Sequence, residues 1–259
     1  MKKVLSKILS LALLTLVITG VSTVELVPQA KEKISVSEKI DGINNKLIKY
    51  IETLNIENVT PSNIENFLTN NISDNEKLTG KELKEIINRG NKKVTTLKDS
   101  GYSSDEILES QIVKTVITEN NFKVEIFDNG IFSIENLNNS IQSRSSSVWG
   151  QAYKDYYTVI GLHAFTVAVG SGFSYDGYSA SYYGNFNAYY KRGIPSVWQV
   201  SGWEKGHEAA GTNYTAYASG NFHFGFEYDG MGLVIQDFYI KHKVTCDRYG
   251  NITPSYQLV

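Results

Sequence analysis

Apolar positions recur at helical spacing in the first half of the chain and at every second residue in the second half. Ile40, Ile43, Leu47, Ile51 and Leu54 fall on one face of a helix. Thr60-Pro61 reads as an N-cap with proline in the first helical position, ahead of the stripe Ile64, Phe67, Leu68. Thr79 to Glu82 fits a capping box leading to Leu83, Ile86 and Ile87, with Gly90 as the expected stop. Ser103 to Glu106 fits a second box, running into Ile107, Leu108, Ile112, Val116 and Ile117. At Phe122 the period becomes two: Phe122, Val124 and Ile126 alternate with Lys123, Glu125 and Phe127, and Asp128-Asn129-Gly130 predicts a tight turn before Ile131 to Ile134. This hairpin is expected to end the helical region.

Beyond it, Asn138 to Ser147 is polar and serine-rich, the composition of a linker, with Arg144 a basic residue open to proteolysis. From Val148 on, strands are expected at 149–157, 162–169, 173–175, 179–190, 196–203, 214–228 and 233–246, with a short tail strand. Expected turns lie at Gly170-Ser171-Gly172, Asp176-Gly177, Arg192-Gly193, Lys205-Gly206, Asp229-Gly230 and Tyr249-Gly250-Asn251. The alternation is plainest where Phe222, Phe224, Phe226 and Tyr228 lie opposite Asn221, His223, Gly225 and Glu227, and where Phe238, Ile240, His242, Val244 and Cys246 share a face. The predicted fold is α+β in two domains: a helical N-terminal region (31–137) and an all-β antiparallel sandwich or small barrel (148–259).

Composition adds a compartment. Lys2, Lys3 and Lys7 precede the uncharged apolar run Ile8 to Val21, and small residues follow: an export signal spanning 1–23, with cleavage as late as residue 30. The expected location is secreted, extracellular. The single cysteine, Cys246, excludes an internal disulfide and a multi-thiolate metal site. A net charge of −2 gives no global pull toward nucleic acid or anionic lipid. The turn-helix look of Leu97 to Ile107 reads as a helix cap after a glycine turn, and Asp74 to Leu78 lacks the ligands of a calcium loop.

Candidate chemistry is sparse. The four histidines, 163, 207, 223 and 242, lack the spacings that put two imidazoles on one metal. His242 and Cys246 share a strand face but stand about 13 Å apart by strand rise, too far for a thiolate–imidazole pair. Gly170-Ser171-Gly172 lacks the frame of a nucleophile elbow. No catalytic residue, metal or cofactor is assigned. Aromatics are the informative surplus: of 17 Tyr only Tyr50 and Tyr102 precede Trp149, and all three Trp follow. Tyr182, Tyr183, Tyr189 and Tyr190 occupy both faces of one strand, so a sandwich buries only part of them; with Trp198 and Trp203 they are the candidate binding residues.

With Tyr175-Asp176-Gly177, the Tyr/Gly-rich strands, Trp198 and the closing turn Asp247 to Asn251 in view, residues 148–259 resemble exported β-sandwich domains of Gram-positive bacteria. Some of those are similar to bacteriocin-type peptides or surface-binding modules. The resemblance implies a non-enzymatic exoprotein and carries over no functional residue. The expected function is therefore a secreted binding protein. Its β domain targets cell-wall glycan or a membrane surface, in the manner of a bacteriocin- or toxin-like effector, and the helical part is a pro-region or docking module. The alternative is an extracellular hydrolase using His and Glu or Asp on the β scaffold.

Overall fold

The computed structural model describes residues 34–137, 142–144, 146–194, 197–230 and 232–259, with only the backbone at 142–144. Residues 34–259 form one compact unit. The expected export signal lies outside the described residues. No helix among those described is long and apolar enough to cross a membrane.

Among the described residues four α-helices come first: α1 (Val36–Thr53), α2 (Pro61–Asn71), α3 (Gly80–Asp99) and α4 (Ser104–Gln111). Capping boxes at Ser35/Glu38, Thr79/Glu82 and Ser103/Glu106 satisfy backbone N–H groups that have no partner within the helix. Gly90 does not stop α3. The helix runs on to Asp99, and Gly90 is where the Asp128–Gly130 turn touches it: a Cβ there would lie 2.4 Å from Cβ of Asn129. The apolar run after Ile107 is not helical throughout. Ile112–Ile117 is a strand, β1, because its β-branched residues pair with β2 (Phe122–Phe127).

Two antiparallel sheets follow, giving the expected α+β architecture with a β-sandwich. The larger sheet runs β1-β2-β3-β5-β6-β7, with β3 at Ile131–Asn136, β5 at Ser147–Thr158, β6 at His163–Tyr175 and β7 at Ala180–Arg192; the short β4 (Gln142–Arg144) pairs with β5. The smaller runs β11-β10-β9-β8, from Ile252–Leu258, Leu233–Cys246, Asn213–Glu227 and Val197–Ala210. The β2–β3 hairpin does not close a separate helical region: Ile134 of β3 pairs with Asp155 of β5, so one ladder crosses from the helical half into the sandwich. Of the expected linker, 138–141 and 145 lie outside the described residues, and Arg144 falls in β4, paired with Ser147.

Two turn expectations fail. Gly170-Ser171-Gly172 lies within β6, and Lys205-Gly206 within β8. At Gly170 the missing Cβ makes room for a ring, since a Cβ would meet the indole of Trp149 at 2.6 Å.

The larger sheet is covered differently along its width. Phe122, Val124, Ile126, Phe132 and Ile134 pack with Ile43, Leu47, Ile64, Leu83 and Ile86 of the helices. On the opposite face Phe165 of β6 meets Phe222, Phe224 and Trp198 of the smaller sheet, with ring centroids 5.1–5.8 Å apart. At the β5–β7 end the outer face is open: Trp149, Gln151 and Tyr153 are half-exposed and Asn187 and Lys191 exposed.

Candidate functional site: an aromatic face on β5–β7

The open face is built by register. Tyr153 pairs with Ala168 and Ala168 with Tyr189; Gln151 pairs with Gly170 and Gly170 with Asn187. Directly paired residues project to the same side. Two aromatic side chains therefore flank Ala168, amides flank Gly170, and the Trp149 ring lies over Gly170. The result is a shallow floor of alanine and glycine with Trp149, Tyr153 and Tyr189 around it and Gln151 and Asn187 between them.

One end of this face is fixed by hydrogen bonds. Tyr153 donates its hydroxyl to both carboxylate oxygens of Asp155, at 3.1 Å each, and Thr166 donates to the same carboxylate at 2.5 Å. His163 Nε2 lies 3.1 Å from Thr166 Oγ1, and its backbone N–H donates to Glu65 of α2 at 2.7 Å. Burial, then the Asp155 charge, holds the Tyr153 phenol far above its ordinary range, and the same two causes raise Tyr189. Both stay protonated donors at any physiological pH. Lys191 sits 5.6 Å from the Tyr189 ring centroid.

The sequence-predicted aromatics divide. Tyr189 belongs to the open face. Tyr190 points into the sandwich, edge-on to Trp203 (4.9 Å) and Phe222 (5.6 Å). Trp198 stacks on Phe224 at 5.9 Å, inside the open edge of the sandwich. Tyr182, 46 % exposed, packs at a tilt against His207 with centroids 4.4 Å apart, and Tyr183, 66 % exposed, faces solvent. The six do not form one surface. Trp149 and Tyr153 were missed. Their odd spacing was legible, but the small residues beneath the rings are apparent only once β6 is in register.

The histidines separate as well. His242 is buried between the sheets, its Nε2 2.9 Å from the Tyr156 hydroxyl, and burial and then Lys154 hold it neutral. Cys246 is a buried thiol pushed up to about 11, first by burial and then by Asp247. His207 lies between Tyr182 and Phe186, 3.2 Å from Ser171, and burial lowers its pKa. His223 Nδ1 is hydrogen-bonded to Asp237, its direct cross-strand partner. This pair opens on a cleft of about 350 Å³ with Gln199, Ser201, Asn221, Tyr239 and Lys98. Among the described residues no group of three or more His, Cys, Asp or Glu side chains could hold a metal ion.

No family model matches this chain, and no curated protein or solved structure gives a significant match.

Proposed function

We propose that the protein is exported and binds glycan strands of a bacterial cell envelope through the open face of β5–β7, without converting them. The observation that carries this reading is the arrangement of Trp149, Tyr153 and Tyr189 around the Ala168–Gly170 floor. A sugar ring offers C–H groups to aromatic faces and hydroxyls to Gln151 and Asn187. The Tyr153 phenol is held in place by Asp155, so little of its rotamer entropy is lost on binding. A lipid surface suits this face less well, because polar amides interrupt its apolar area. In this reading the whole unit 34–259 is the agent, since the helices, β1–β3 and the sandwich share one core.

The test is co-sedimentation with insoluble peptidoglycan. Trp149→Ala and Tyr189→Ala are each expected to weaken binding by about tenfold or more, the usual loss for a central aromatic anchor. Tyr183→Ala is expected to change little. Dye release from lipid vesicles with no sedimentation would replace the glycan by a membrane.

The hydrolase reading has one observation in its favour, the His223–Asp237 pair. A carboxylate on Nδ1 leaves Nε2 free to take a proton from a nucleophile in the cleft. If it holds, Asp237→Asn cuts turnover of envelope polymer by about a hundredfold or more with sedimentation unchanged. The binding reading predicts no turnover by either protein.

A further inference from the structure

A separate cavity of about 350 Å³ lies between the helices and the outer face of β1–β3, walled by Ile40 of α1, Ile86 of α3, Ile126, Phe132 and Val159. Apolar walls alone would name no ligand. Two lining side chains do. Asn44 is 4 % exposed, and its Oδ1 is buried without a hydrogen-bond partner. Asp128 uses Oδ2 to pair with Lys93 at 2.7 Å, but its Oδ1 is also buried and unpartnered. Burying an acceptor with no donor costs free energy unless something supplies the donor. Both orphans are acceptors, in a space large enough for a small molecule.

We propose that this cavity binds a small amphiphile: an apolar chain against Ile40, Ile86, Ile126 and Val159, with a head that donates hydrogen bonds, a hydroxyl or an amine, to Asn44 Oδ1 and Asp128 Oδ1. An acceptor-only head such as a carboxylate gains nothing from these two acceptors, one of them charged, and is left with the exposed, solvent-screened Arg89 and Lys114 that also line the cavity. The site is independent of the glycan-binding face.

The test is displacement of N-phenyl-1-naphthylamine, whose fluorescence rises in apolar surroundings, from the purified protein. Saturable single-site binding is expected, with decan-1-ol and decylamine displacing the dye at concentrations about tenfold or more below decanoate. Asn44→Leu removes one of the two acceptors and is expected to reduce the preference for alcohol over carboxylate, with the Asp128 carboxylate still in place. Val159→Phe fills the cavity and is expected to remove dye binding while peptidoglycan sedimentation is retained. Absence of saturable binding, equal displacement by decanoate, or native dye binding by Val159→Phe would each overturn the proposal. The head-group comparison on the unsubstituted protein decides the matter even where a variant fails to fold.

Discussion

Replacing Lys154 with methionine is expected to lower the unfolding free energy by about 3–5 kcal/mol, the usual cost of removing one partner from a buried ion pair. Lys154 lies between the sheets with its side chain 3 % exposed, 2.7 Å from Glu125 and 3.7 Å from Glu135. Its ammonium also sits 4.0 Å from the centroid of the Tyr256 ring, and Tyr256 donates to Glu135 at 2.6 Å. Lys123 adds a second cation 2.5 Å from Glu125. The cluster therefore balances two cations against two carboxylates. Without Lys154, Glu135 keeps only the Tyr256 hydroxyl, and a buried carboxylate is left uncompensated. Adding Glu135→Gln to Lys154→Met should recover part of the loss, and a double-mutant cycle from urea melts measures the coupling.

The same cluster sets the response to acid. Burial pushes Glu125 up, but Lys154 and Lys123 together outweigh it, so its folded pKa lies below 4.5. A depressed carboxylate contributes stability above its unfolded pKa and loses it as pH falls through the folded value. His242 acts in the same direction at higher pH. Its folded pKa is far below 6.5, so below that pH the unfolded chain takes up a proton that the folded chain refuses. Stability is expected to fall in two steps, one beginning near pH 6.5 and one in the carboxylate range. Urea midpoints across this interval check the shape, and His242→Gln should flatten the upper step.

Phe165→Ala is expected to cost about 3–5 kcal/mol. Phe165 is wholly buried and touches both sheets: Tyr156 at 4.7 Å on its own sheet, and Phe222, Phe224, Trp198 and Phe238 across the sandwich. Removing the ring leaves a cavity between rigid β-ladders, which collapse poorly, and the loss should fall toward the upper part of that range. Thermal denaturation measures it. Phe165→Leu, which keeps most of the volume, should cost well under half as much.

The period of two in β9 and β10 predicted which residues face inward. Phe222, Phe224, Phe226, Phe238, Ile240 and Cys246 are all buried, and His223 lies opposite them. Capping chemistry placed the starts of α2, α3 and α4, because a cap is decided within four residues. What was not legible depends on pairing between distant segments. Gly90 is a stop signal taken alone, but here it is the point where a turn some forty residues on meets the helix. The change from helix to strand at Ile112 rests on β2, since an apolar β-branched run suits either element. The candidate site was half legible. Tyr189 was named from composition, but Trp149 and Tyr153 needed the β5–β6 register, and Asp237 was joined to His223 only by the β9–β10 register.

The most direct test of the glycan-binding account is a calorimetric titration of the purified protein with soluble peptidoglycan fragments. The account predicts saturable binding that weakens by about tenfold or more in Trp149→Ala and in Tyr189→Ala, with the thermal midpoints of both variants close to that of the parent. Unchanged affinity in folded Trp149→Ala, or no saturable binding in the parent, would contradict it.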